Sequence, residues 1–441
     1  MTQQTQNKQL PKGWKGEQFT EVVEILDSKR KPINSTERQK RIGDIPYYGA
    51  TGQVGWIDNF LFDEELILLG EDAAPFLEPY KDKAYLIKGK SWVNNHAHVL
   101  RTKGGLINKF LLYFLNNFDY HEYVTGTTRL KLNQSRMKEI KILLPPPPLQ
   151  SLIVSAIETQ FTRLDVAVKN LKAVKQKLGI YRKAVLKEAF QGKLAGRIQF
   201  NKEELIKEIN EYNKKKEGQN KTRRLPEIDY NSLNFIPNEW FFMGAHKICS
   251  SVRDGTHDSP KYVSIGYPLI TSKNLKEGEL DLSKINYISK EDYFEVNKRS
   301  KVDQGDLLFA MIGTIGNPVV IKEEPNFAIK NVGLFKNKEE KFILTNYLKY
   351  WLDSPIYLKI LEQKKLIKGT TQRFIDLGSL RISPIPICSI SEQSSIVSSI
   401  ESKFSVIDKV EETVNNALVK AERLRKSILK SAFEGKLVKE E

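Results

Sequence analysis

The chain is poor in cysteine and has no long apolar run. Only Cys249 and Cys388 occur in 441 residues, and they lie far apart without forming a motif. This usage predicts neither a disulfide scaffold nor redox chemistry. No stretch approaches the roughly 18 apolar residues that span a bilayer, and the first residues lack the apolar core of a signal peptide. We therefore expect a cytoplasmic protein.

The sequence also lacks the motifs of common enzyme classes. Gly192-Lys193 resembles part of a phosphate-binding loop, but leucine follows it and the partner glycine five residues earlier is absent. Asn317-Pro318 is followed by two valines, unlike the Asn/Asp-Pro-Pro-aromatic motif of DNA methyltransferases. No paired carboxylates and no convincing metal-ligand spacing stand out. We predict no catalytic residue, no metal ligand and no cofactor bound by this chain.

Positive charge is in clear excess. The chain has 70 Lys and Arg against 54 Asp and Glu, which gives a net charge of +16 and a pI near 9.4. Such a charge favours a polyanionic partner, because neutralised phosphates release condensed counterions. Nucleic acid is the leading candidate. A protein whose lysines serve only solubility, or a basic coiled-coil interaction protein, remains an alternative at this point.

A long internal repeat organises the chain. Residues 126–196 align without a gap to residues 369–439, and roughly a third of the 71 pairs are identical. Both copies begin with Gly-Thr-Thr and end with Ala-Phe-x-Gly-Lys-Leu. Self-similarity of this length indicates a duplication.

Each copy contains a heptad pattern that predicts a coiled-coil seam. The seam residues recur every seven positions in both copies: Ile157, Leu164, Leu171, Leu178 and Val185 in the first, and Ile400, Ile407, Val414, Ala421 and Ile428 in the second. A second line lies beside each seam: Phe161, Val168, Val174 and Tyr181, then Phe404, Val410, Ala417 and Leu424. Matched seams favour packing of the two helices on each other, although each stripe could instead lie on its own domain.

Local signals predict where the two helices begin and end. The prolines 145–148 predict an extended segment before the first helix, as do Pro384 and Pro386 before the second. Ser389 and Glu392 fit a capping box. Gly192 and Gly435 follow the last periodic residues, where a left-handed C-cap favours glycine.

The segments before the helices predict mixed, strand-rich domains. "LPKGW" (10–14) and "IPNEW" (236–240) introduce short apolar runs that are broken by Gly, Asn, Asp and Pro. The predicted fold class is therefore α+β, with two strand-rich domains, two long antiparallel coiled-coil helices and a pseudo-twofold axis. The predicted boundaries are a first domain at 1–148, a helix at 149–196, a helical extension and linker at 197–232, a second domain at 233–390, and a helix at 391–441.

The order of these landmarks resembles the specificity subunits of type I restriction-modification systems. The resemblance covers essentially the whole chain and rests on the paired "GTT" and "AFxGKL" together with "IPYYGATGQVG", "LILLGEDAA", "VNNHAHVLR", "RDGTHDSPKY", "GDLLFAMIGTIGN" and "FAIKNVGLFK". One departure is "PLQ" (148–150) before the first helix where the second has "SEQ" (391–393). We expect a weaker helix cap there, without loss of function.

The resemblance implies a non-catalytic subunit that recognises double-stranded DNA. Each of two target-recognition domains would read one half of a split sequence, and the helices would set the spacer and dock two methyltransferase subunits. Restriction and translocase subunits would join this core. S-adenosylmethionine, ATP and Mg would then be bound by partner subunits.

Candidate DNA-binding residues follow from the chemistry of base and phosphate contacts. Arg and Lys suit guanine, Asn and Gln suit adenine, and any donor can contact phosphate. The first-domain candidates lie near the Gly-rich turn, in the loop of "VNNHAHVLR" and in "GTTRLKL": Tyr47, Tyr48, Thr51, Asn94, Asn95, His96, His98, Arg101, Thr127, Thr128, Arg129 and Lys131. The alternative is that the asparagines only close a turn, that His98 is a core histidine and that the threonines stabilise a turn.

The second domain offers a different set of side chains in comparable segments. Its candidates are polar residues of four short segments: Arg253, Thr256, His257, Ser272, Lys273, Asn274, Lys330, Asn331, Thr370, Thr371, Gln372 and Arg373. Because the two sets differ at almost every place, we predict an asymmetric bipartite target.

Overall fold

The computed structural model describes residues 11–217, 225, 228–230 and 232–438. The chain divides into two compact units: unit 1 contains Met1–Val174 and Thr413–Glu441, and unit 2 contains Lys175–Glu412. We call residues 11–146 domain 1 and residues 232–389 domain 2. Within the described residues, no helix is long and apolar enough to cross a membrane.

Domain 1 consists mainly of short strands, as its broken apolar runs predict. Its strands are β1 (Lys15–Gln18), β2 (Val23–Ile25), β3 (Ile45–Gly49), β4 (Gly52–Ile57), β5 (Phe62–Asp63), β6 (Leu66–Gly70), β7 (Ala84–Ile87), β8 (Lys90–Val93), β9 (Ala97–Thr102), β10 (Val124–Thr125), β11 (Lys131–Leu132) and β12 (Lys141–Leu144). Its helices are α1 (Phe19–Val22), α2 (Ser35–Lys40), α3 (Asn108–Asn117) and α4 (Gln134–Lys138), and Asp27–Lys29 forms a 3-10 turn.

Two four-stranded sheets form the centre of domain 1, with strand orders β2-β9-β6-β7 and β4-β3-β8-β5. The first sheet is antiparallel, and β3 pairs in parallel with β8 in the second. Strand β6 is buried along its whole length, because it lies inside its sheet. Two small ladders, β1-β12 and β10-β11, complete the domain.

The chain then forms the first long helix, a shorter helix and domain 2. The helices are α5 (Pro147–Phe190), α6 (Lys202–Glu217), α7 (Ala245–Ile248), α8 (Lys290–Ser300), α9 (Thr345–Leu352), α10 (Pro355–Gln363) and α11 (Leu377–Arg381). The strands are β13 (Phe241–Gly244), β14 (Ser251–Asp254), β15 (Tyr262–Val263), β16 (Tyr267–Thr271), β17 (Leu275–Lys276), β18 (Glu279–Leu280), β19 (Asn286–Ile288), β20 (Leu307–Ala310), β21 (Gly316–Val320), β22 (Ala328–Lys330), β23 (Val332–Lys336), β24 (Ile367–Lys368), β25 (Phe374–Ile375) and β26 (Pro384–Ile387). Ser272–Asn274 forms a 3-10 turn.

Domain 2 repeats the plan of domain 1 with other residues. Its four-stranded sheets have the orders β14-β23-β20-β21 and β15-β19-β16-β22, and β16 pairs in parallel with β22. The two-stranded ladders are β13-β26, β24-β25 and β17-β18. Helix α6 is more than an exposed extension, because Ile209 is fully buried in the core of unit 2.

The second long helix is α12 (Ile390–Phe433), and it has 44 residues like α5. Inside unit 1, the start of α5 at Leu149 and Ile153 lies beside the end of α12 at Ala432. Further along, Asp165 of α5 pairs with Arg425 of α12. Because residue numbers rise on one helix as they fall on the other, these segments run antiparallel.

The same arrangement occurs inside unit 2 with the helices exchanged. Arg182 of α5 pairs with Asp408 of α12, and Lys175 lies 3.7 Å from Glu411. Arg182 and Asp408 stand 243 residues from Arg425 and Asp165, the offset of the sequence repeat. Each arginine also covers an equivalent ring, Phe404 at 5.1 Å for Arg182 and Phe161 at 4.2 Å for Arg425. The duplication is therefore visible in individual contacts.

The seam is narrower than the heptads predict. Eight of its ten residues are buried: Ile157, Leu164, Val185, Ile400, Ile407, Val414, Ala421 and Ile428. Leu171 and Leu178 are half-buried. In the second line, Val174, Tyr181, Val410 and Leu424 are exposed, so the prediction that this line contributes to the seam is wrong there. A two-helix contact buries one stripe of each helix and leaves the adjacent stripe in solvent.

Both helices end in the same glycine cap. Gly192 and Gly435 have φ angles of 71° and 69°. The N–H of Lys193 donates to Glu188 O at 3.0 Å, and that of Lys436 donates to Ser431 O at 2.8 Å. This is the Schellman pattern, in which a left-handed residue lets later N–H groups satisfy the last carbonyls. These glycines therefore end helices.

The helix starts differ partly from prediction. Pro147 and Pro148 belong to α5, so the prediction that both lie in an extended segment is wrong. Proline is tolerated in a first helical turn because no N–H is needed there. At the second helix, Ser389 Oγ accepts from Glu392 N at 3.2 Å, as a capping residue should. The Glu392 carboxylate instead accepts from the buried Trp240 Nε1 at 3.1 Å.

Candidate nucleic-acid interface

Loops of domain 1 meet at one edge of its sheets. The N–H of Asn94 donates to Tyr48 O at 3.1 Å, which joins the loop after β8 to the end of β3. Glu71 N donates to His96 O at 2.8 Å, and Ala73 N donates to Leu130 O at 2.9 Å. We call residues 49–52, 71–73, 94–96 and 126–131 the domain-1 loop cluster. Three of its four segments contain residues that the sequence predicts to bind DNA.

Domain 2 assembles a corresponding domain-2 loop cluster, which we define as residues 256–259, 272–274, 311–313, 330–331 and 369–373. His257 Nδ1 lies 2.8 Å from Asn331 Oδ1. Ser272 Oγ donates to Asn331 O at 2.9 Å and accepts from Met311 N at 3.1 Å. Gly313 N donates to Arg373 O at 2.9 Å. Backbone and side-chain hydrogen bonds therefore connect loops that lie up to 117 residues apart in sequence.

The Gly-Thr-Thr copies form equivalent hairpin turns in the two clusters. The first lies between β10 and β11 and the second between β24 and β25. The residue after each turn forms a β-bridge with the loop that follows the buried strand, β6 in domain 1 and β20 in domain 2. Lys131 pairs with Asp72, and Phe374 pairs with Ile312. The glycines need φ angles of 93° and 80°, which are accessible to a residue without Cβ.

Most predicted residues offer side chains to solvent. Those exposed are Thr51, Asn95, Thr127, Thr128, Arg129, Lys131, Arg253, His257, Lys273, Thr370, Thr371, Gln372 and Arg373. Those partly exposed are Tyr48, His96, Thr256, Ser272, Lys330 and Asn331. Their roles toward DNA stay predictions.

Four predicted residues are buried and hold the domains together instead. Tyr47 is 1% exposed and its hydroxyl donates to Ile33 O at 3.2 Å. Asn94 Oδ1 accepts from His96 N at 2.8 Å and so closes a turn. Asn274 caps the 3-10 turn, and its Nδ2 donates to Asp281 O at 3.0 Å. The prediction of DNA contact is wrong for these three side chains, because they are buried and their hydrogen bonds are made inside the protein.

His98 is the fourth correction, since it is a core histidine with no exposed surface. Its Nε2 donates to Leu132 O at 2.9 Å, and its Nδ1 lies 2.6 Å from Asp27 Oδ2. Burial opposes ionisation of Asp27, but hydrogen bonds from His98 and Val99 N lower the pKa of its carboxyl below the ordinary value. The histidine therefore joins β9 to the hairpin that bears the loop cluster.

Arg101 is held by two carboxylates away from the cluster. It donates to Glu64 at 2.5 and 2.8 Å and to Glu24 at 2.8 Å. Hydrogen bonds to Glu64 and Glu24 raise the pKa of its guanidinium. A guanidinium paired on both edges has few donors left for a base, so the structure contradicts Arg101 as a DNA contact.

One group of described residues has metal-ligand chemistry: Asp27, Glu71 and His98, with ligand atoms within 4.8 Å of one another. The Arg30 guanidinium lies 2.7 Å from Glu71 and 3.3 Å from Asp27. An internal cation therefore already neutralises these carboxylates, and we assign no metal to them. Arg30 was not predicted from sequence; its spacing of three residues from Asp27 was the available signal.

Comparison with known proteins places the chain among specificity subunits. Residues 11–176 and 247–420 match the family described as the type I restriction modification DNA specificity domain. The type I restriction enzyme EcoBI specificity subunit of Escherichia coli is 31% identical over 300 residues, which are 67% of this chain and 58% of that subunit. The EcoDI specificity subunit of Escherichia coli is 24% identical over 440 residues, covering 97% of this chain and 89% of that subunit.

A solved structure shares the fold over nearly the whole length. It was determined in work on complex assembly and conformational transition of the type I R-M system, and it matches with a TM-score of 0.63. The alignment covers 97% of this chain and all of that chain, at 15% sequence identity. The family match spans well over half of the sequence and includes parts of both copies of the repeat. This chain therefore belongs to the type I restriction-modification DNA specificity domain family.

Proposed function

We propose that this chain is the non-catalytic DNA-recognition subunit of a type I restriction-modification complex. Each domain reads one half of an asymmetric bipartite sequence in double-stranded DNA. The observation that carries the proposal is the pair of loop clusters. Both lie at the loop ends of four-stranded sheets with similar topology, and both expose polar and cationic side chains.

The different side chains of the two clusters support an asymmetric target. Domain 1 exposes Asn95 and Arg129, whereas domain 2 exposes His257, Gln372 and Arg373. Asn and Gln pair with adenine edges and Arg with guanine edges in the major groove. Two half-sites read by such different sets are not inverted copies of each other.

The long helices set the spacer between the half-sites and dock two methyltransferase subunits. Each helix of 44 residues extends about 66 Å at 1.5 Å per residue. Restriction and translocase subunits complete the complex in the cytoplasm. S-adenosylmethionine, ATP and Mg belong to these partner subunits, and this chain binds none of them.

A mobility-shift assay with random-sequence duplex DNA tests the proposal. The chain should bind, binding should weaken steeply with salt, and methyltransferase subunits should tighten it. No binding with or without those subunits would instead favour a basic coiled-coil interaction protein. Genome-wide mapping of methylated bases, with and without the gene, would identify the target.

Two substitutions distinguish contact with the DNA backbone from recognition of the bases. Arg129 is exposed, and its Nε donates to Asp72 at 2.7 Å, which orients it at the hairpin. Arg129→Ala should weaken binding to all sequences, whereas Asn95→Ala should change preference at one half-site only. Equal losses on every sequence from both substitutions would contradict these roles.

The spacer role has a separate test. Removing one heptad from both helices shortens each by about 10.5 Å, close to three base pairs of duplex. The tolerated spacer should change accordingly in a selection from DNA with variable spacers. An unchanged spacer would show that helix length does not set it.

A further inference from the structure

A buried carboxylate lies beneath the domain-2 loop cluster. Asp254 ends β14, and its side chain is only 2% exposed. One carboxylate oxygen lies 2.8 Å from the Arg299 guanidinium, and the other lies 2.9 Å from His257 Nε2. Both partners are about two-thirds exposed. Asp254 therefore fixes two side chains that lie on the surface of the domain.

His257 extends this contact to Asn331. Its Nδ1 lies 2.8 Å from Asn331 Oδ1. Because the imidazole ring is rigid, holding Nε2 against Asp254 also fixes the direction of Nδ1. Each ring nitrogen faces an oxygen of the protein, so the ring has no nitrogen left for a base. His257 can therefore act on DNA only through the amide that it orients.

Asn331 has an unusual backbone conformation for a residue with a side chain. It is the single residue between β22 and β23, where the chain passes from one four-stranded sheet to the other. Its φ angle is 52°, a value that glycine adopts at lower cost. Its N–H donates to Thr256 O at 3.1 Å, and its carbonyl accepts from Ser272 Oγ at 2.9 Å. Backbone groups hold this corner, so the amide side chain serves another purpose.

The amide of Asn331 retains hydrogen-bonding groups for a ligand. Among the described residues, its Nδ2 forms no hydrogen bond, and Oδ1 has a second lone pair. The residue is partly exposed inside the domain-2 loop cluster. An oriented amide matches the N6 donor and N7 acceptor of adenine in the major groove. Because His257 already fixes the amide, binding to a base costs less side-chain entropy.

Domain 1 has an aspartate at the equivalent place. Asp27 and Asp254 each lie two residues after the residue that pairs with Leu100 or Phe335. Leu100 and Phe335 are equivalent, because the central strand pairs with each of them five residues before its β-bridge to the Gly-Thr-Thr hairpin. The buried aspartate is therefore a feature of both domains.

The residue three positions after each aspartate connects it to a loop cluster. In domain 1, Arg30 lies 3.3 Å from Asp27 and donates to Glu71 at 2.7 Å. In domain 2, His257 connects Asp254 to Asn331. The anchor is shared, but the group that it orients differs. This is expected if two domains of similar architecture read different half-sites.

We propose that Asn331 reads an adenine in the half-site of domain 2, and that His257 and Asp254 are positioning residues for its amide. Asn331 Oδ1 accepts from adenine N6, and Nδ2 donates to N7. This inference rests on the proposed function and names one base contact within it.

Asn331→Gly tests the base contact, because it removes the amide and suits the φ angle of the corner. The chain, assembled with its methyltransferase subunits, selects sequences from a library of randomised duplexes. The variant should lower discrimination at one adenine of one half-site by about 5- to 150-fold and leave the other positions unchanged. Glu277→Gly is the matched control, since Glu277 is exposed, has a φ angle of 49° and lies outside the loop cluster. It should leave every position unchanged.

Substitution of His257 tests the positioning role. His257→Ala should lower discrimination at the same adenine by about 2- to 10-fold, because the amide loses the hydrogen bond that orients it. His257→Asn places an amide donor near the position of Nδ1 and should retain most of the discrimination. His121→Ala provides the control, since His121 is an exposed histidine beside an aspartate in domain 1. It should leave every position unchanged.

A double-mutant cycle tests whether Asp254 acts through His257. Asp254→Asn leaves one acceptor oxygen for Arg299 and His257, so it should lower the same discrimination. In the His257→Ala background it should cause no further loss, because the connection to Asn331 is already broken. A further loss of the same size would show that Asp254 acts independently of His257 and would overturn its positioning role.

The outcomes separate this inference from the proposed function. If the wild-type complex selects a bipartite sequence and Asn331→Gly selects the same sequence equally well, only this inference fails. Relaxation at a G·C pair, or in the half-site that Asn95→Ala alters, also overturns it. Equal weakening of all sequences by Asn331→Gly would show a structural role instead. A wild-type complex that binds no DNA refutes the proposed function and this inference together.

Discussion

The end of each long helix lies in the core of a domain, and for both helices this is not the domain that precedes the helix in sequence. Phe190 ends α5, which follows domain 1, yet it packs on Tyr347 and Trp351 of domain 2 at centroid distances of 5.2 and 5.0 Å. Phe433 ends α12, which follows domain 2, and it packs on Phe110 and Phe114 of domain 1 at 5.3 and 5.6 Å. We therefore predict that Phe190→Ala loosens domain 2 and Phe433→Ala loosens domain 1.

The size of the effect follows from burial and ring contacts. Phe190 is fully buried, and both of its ring contacts are edge-to-face. Truncation of a buried phenylalanine to alanine costs about 3–5 kcal/mol. At 1.4 kcal/mol per factor of ten, local opening becomes more populated by about two to three and a half orders of magnitude. Phe433 is 7% exposed, so its truncation should cost slightly less.

Amide hydrogen exchange measured by mass spectrometry resolves the two domains. In Phe190→Ala, peptides from α9 should exchange about 100- to 4000-fold faster, and those from α3 should be unchanged. In Phe433→Ala, α3 should accelerate while α9 stays protected. Faster exchange of α3 in Phe190→Ala, with α9 protected, would refute the assignment of helix ends to domains.

Three further predictions follow from buried polar contacts. Glu392→Leu leaves the N–H of Trp240 unpaired, so the free energy of urea-induced unfolding of unit 2 should fall by about 1–3 kcal/mol. Adding Trp240→Phe should recover part of this loss, because Glu392 also accepts a hydrogen bond from the backbone N–H of Ile198. The Gln393 side chain makes hydrogen bonds with three backbone groups, whereas that of Gln150 accepts one. Gln393→Ala should therefore lower the free energy of unfolding by about 1–3 kcal/mol more than Gln150→Ala does. Equal losses would contradict this account. The pKa of Asp27 is lowered in the folded protein, so its stabilising contribution is present above the ordinary aspartate pKa of 3.8 and is lost as pH falls through the folded-state pKa. Asp27→Asn should therefore lower the thermal unfolding temperature at pH 7. The difference from the wild type should narrow below about pH 4.

Local features were predictable because they depend on neighbours in sequence. Glycine at 192 and 435 ends the helices, because only a left-handed residue completes that cap. The seven-residue spacing predicted the buried stripe, since one face of a helix repeats with that period. The repeat itself predicted two similar domains. The rule that proline breaks helices placed Pro147 and Pro148 outside the first helix, which was wrong. The rule fails there because a first helical turn accepts proline where later turns do not.

The candidate interface was predictable only in part. Sequence chemistry selected polar segments, and the structure brings these into one cluster per domain. The sequence could not show which side chains point inward, because burial of His98 depends on Asp27 and Leu132, which lie 71 and 34 residues away.

By itself, the sequence determined the duplication, the two matched helices and their glycine ends, because each of these is encoded in residues that are close together or at a constant offset. Tertiary structure alone decided which domain receives each Ala-Phe-x-Gly-Lys-Leu end and which polar residues become core. These outcomes depend on contacts between distant segments, where the free energy of burial is shared among residues that no local pattern connects.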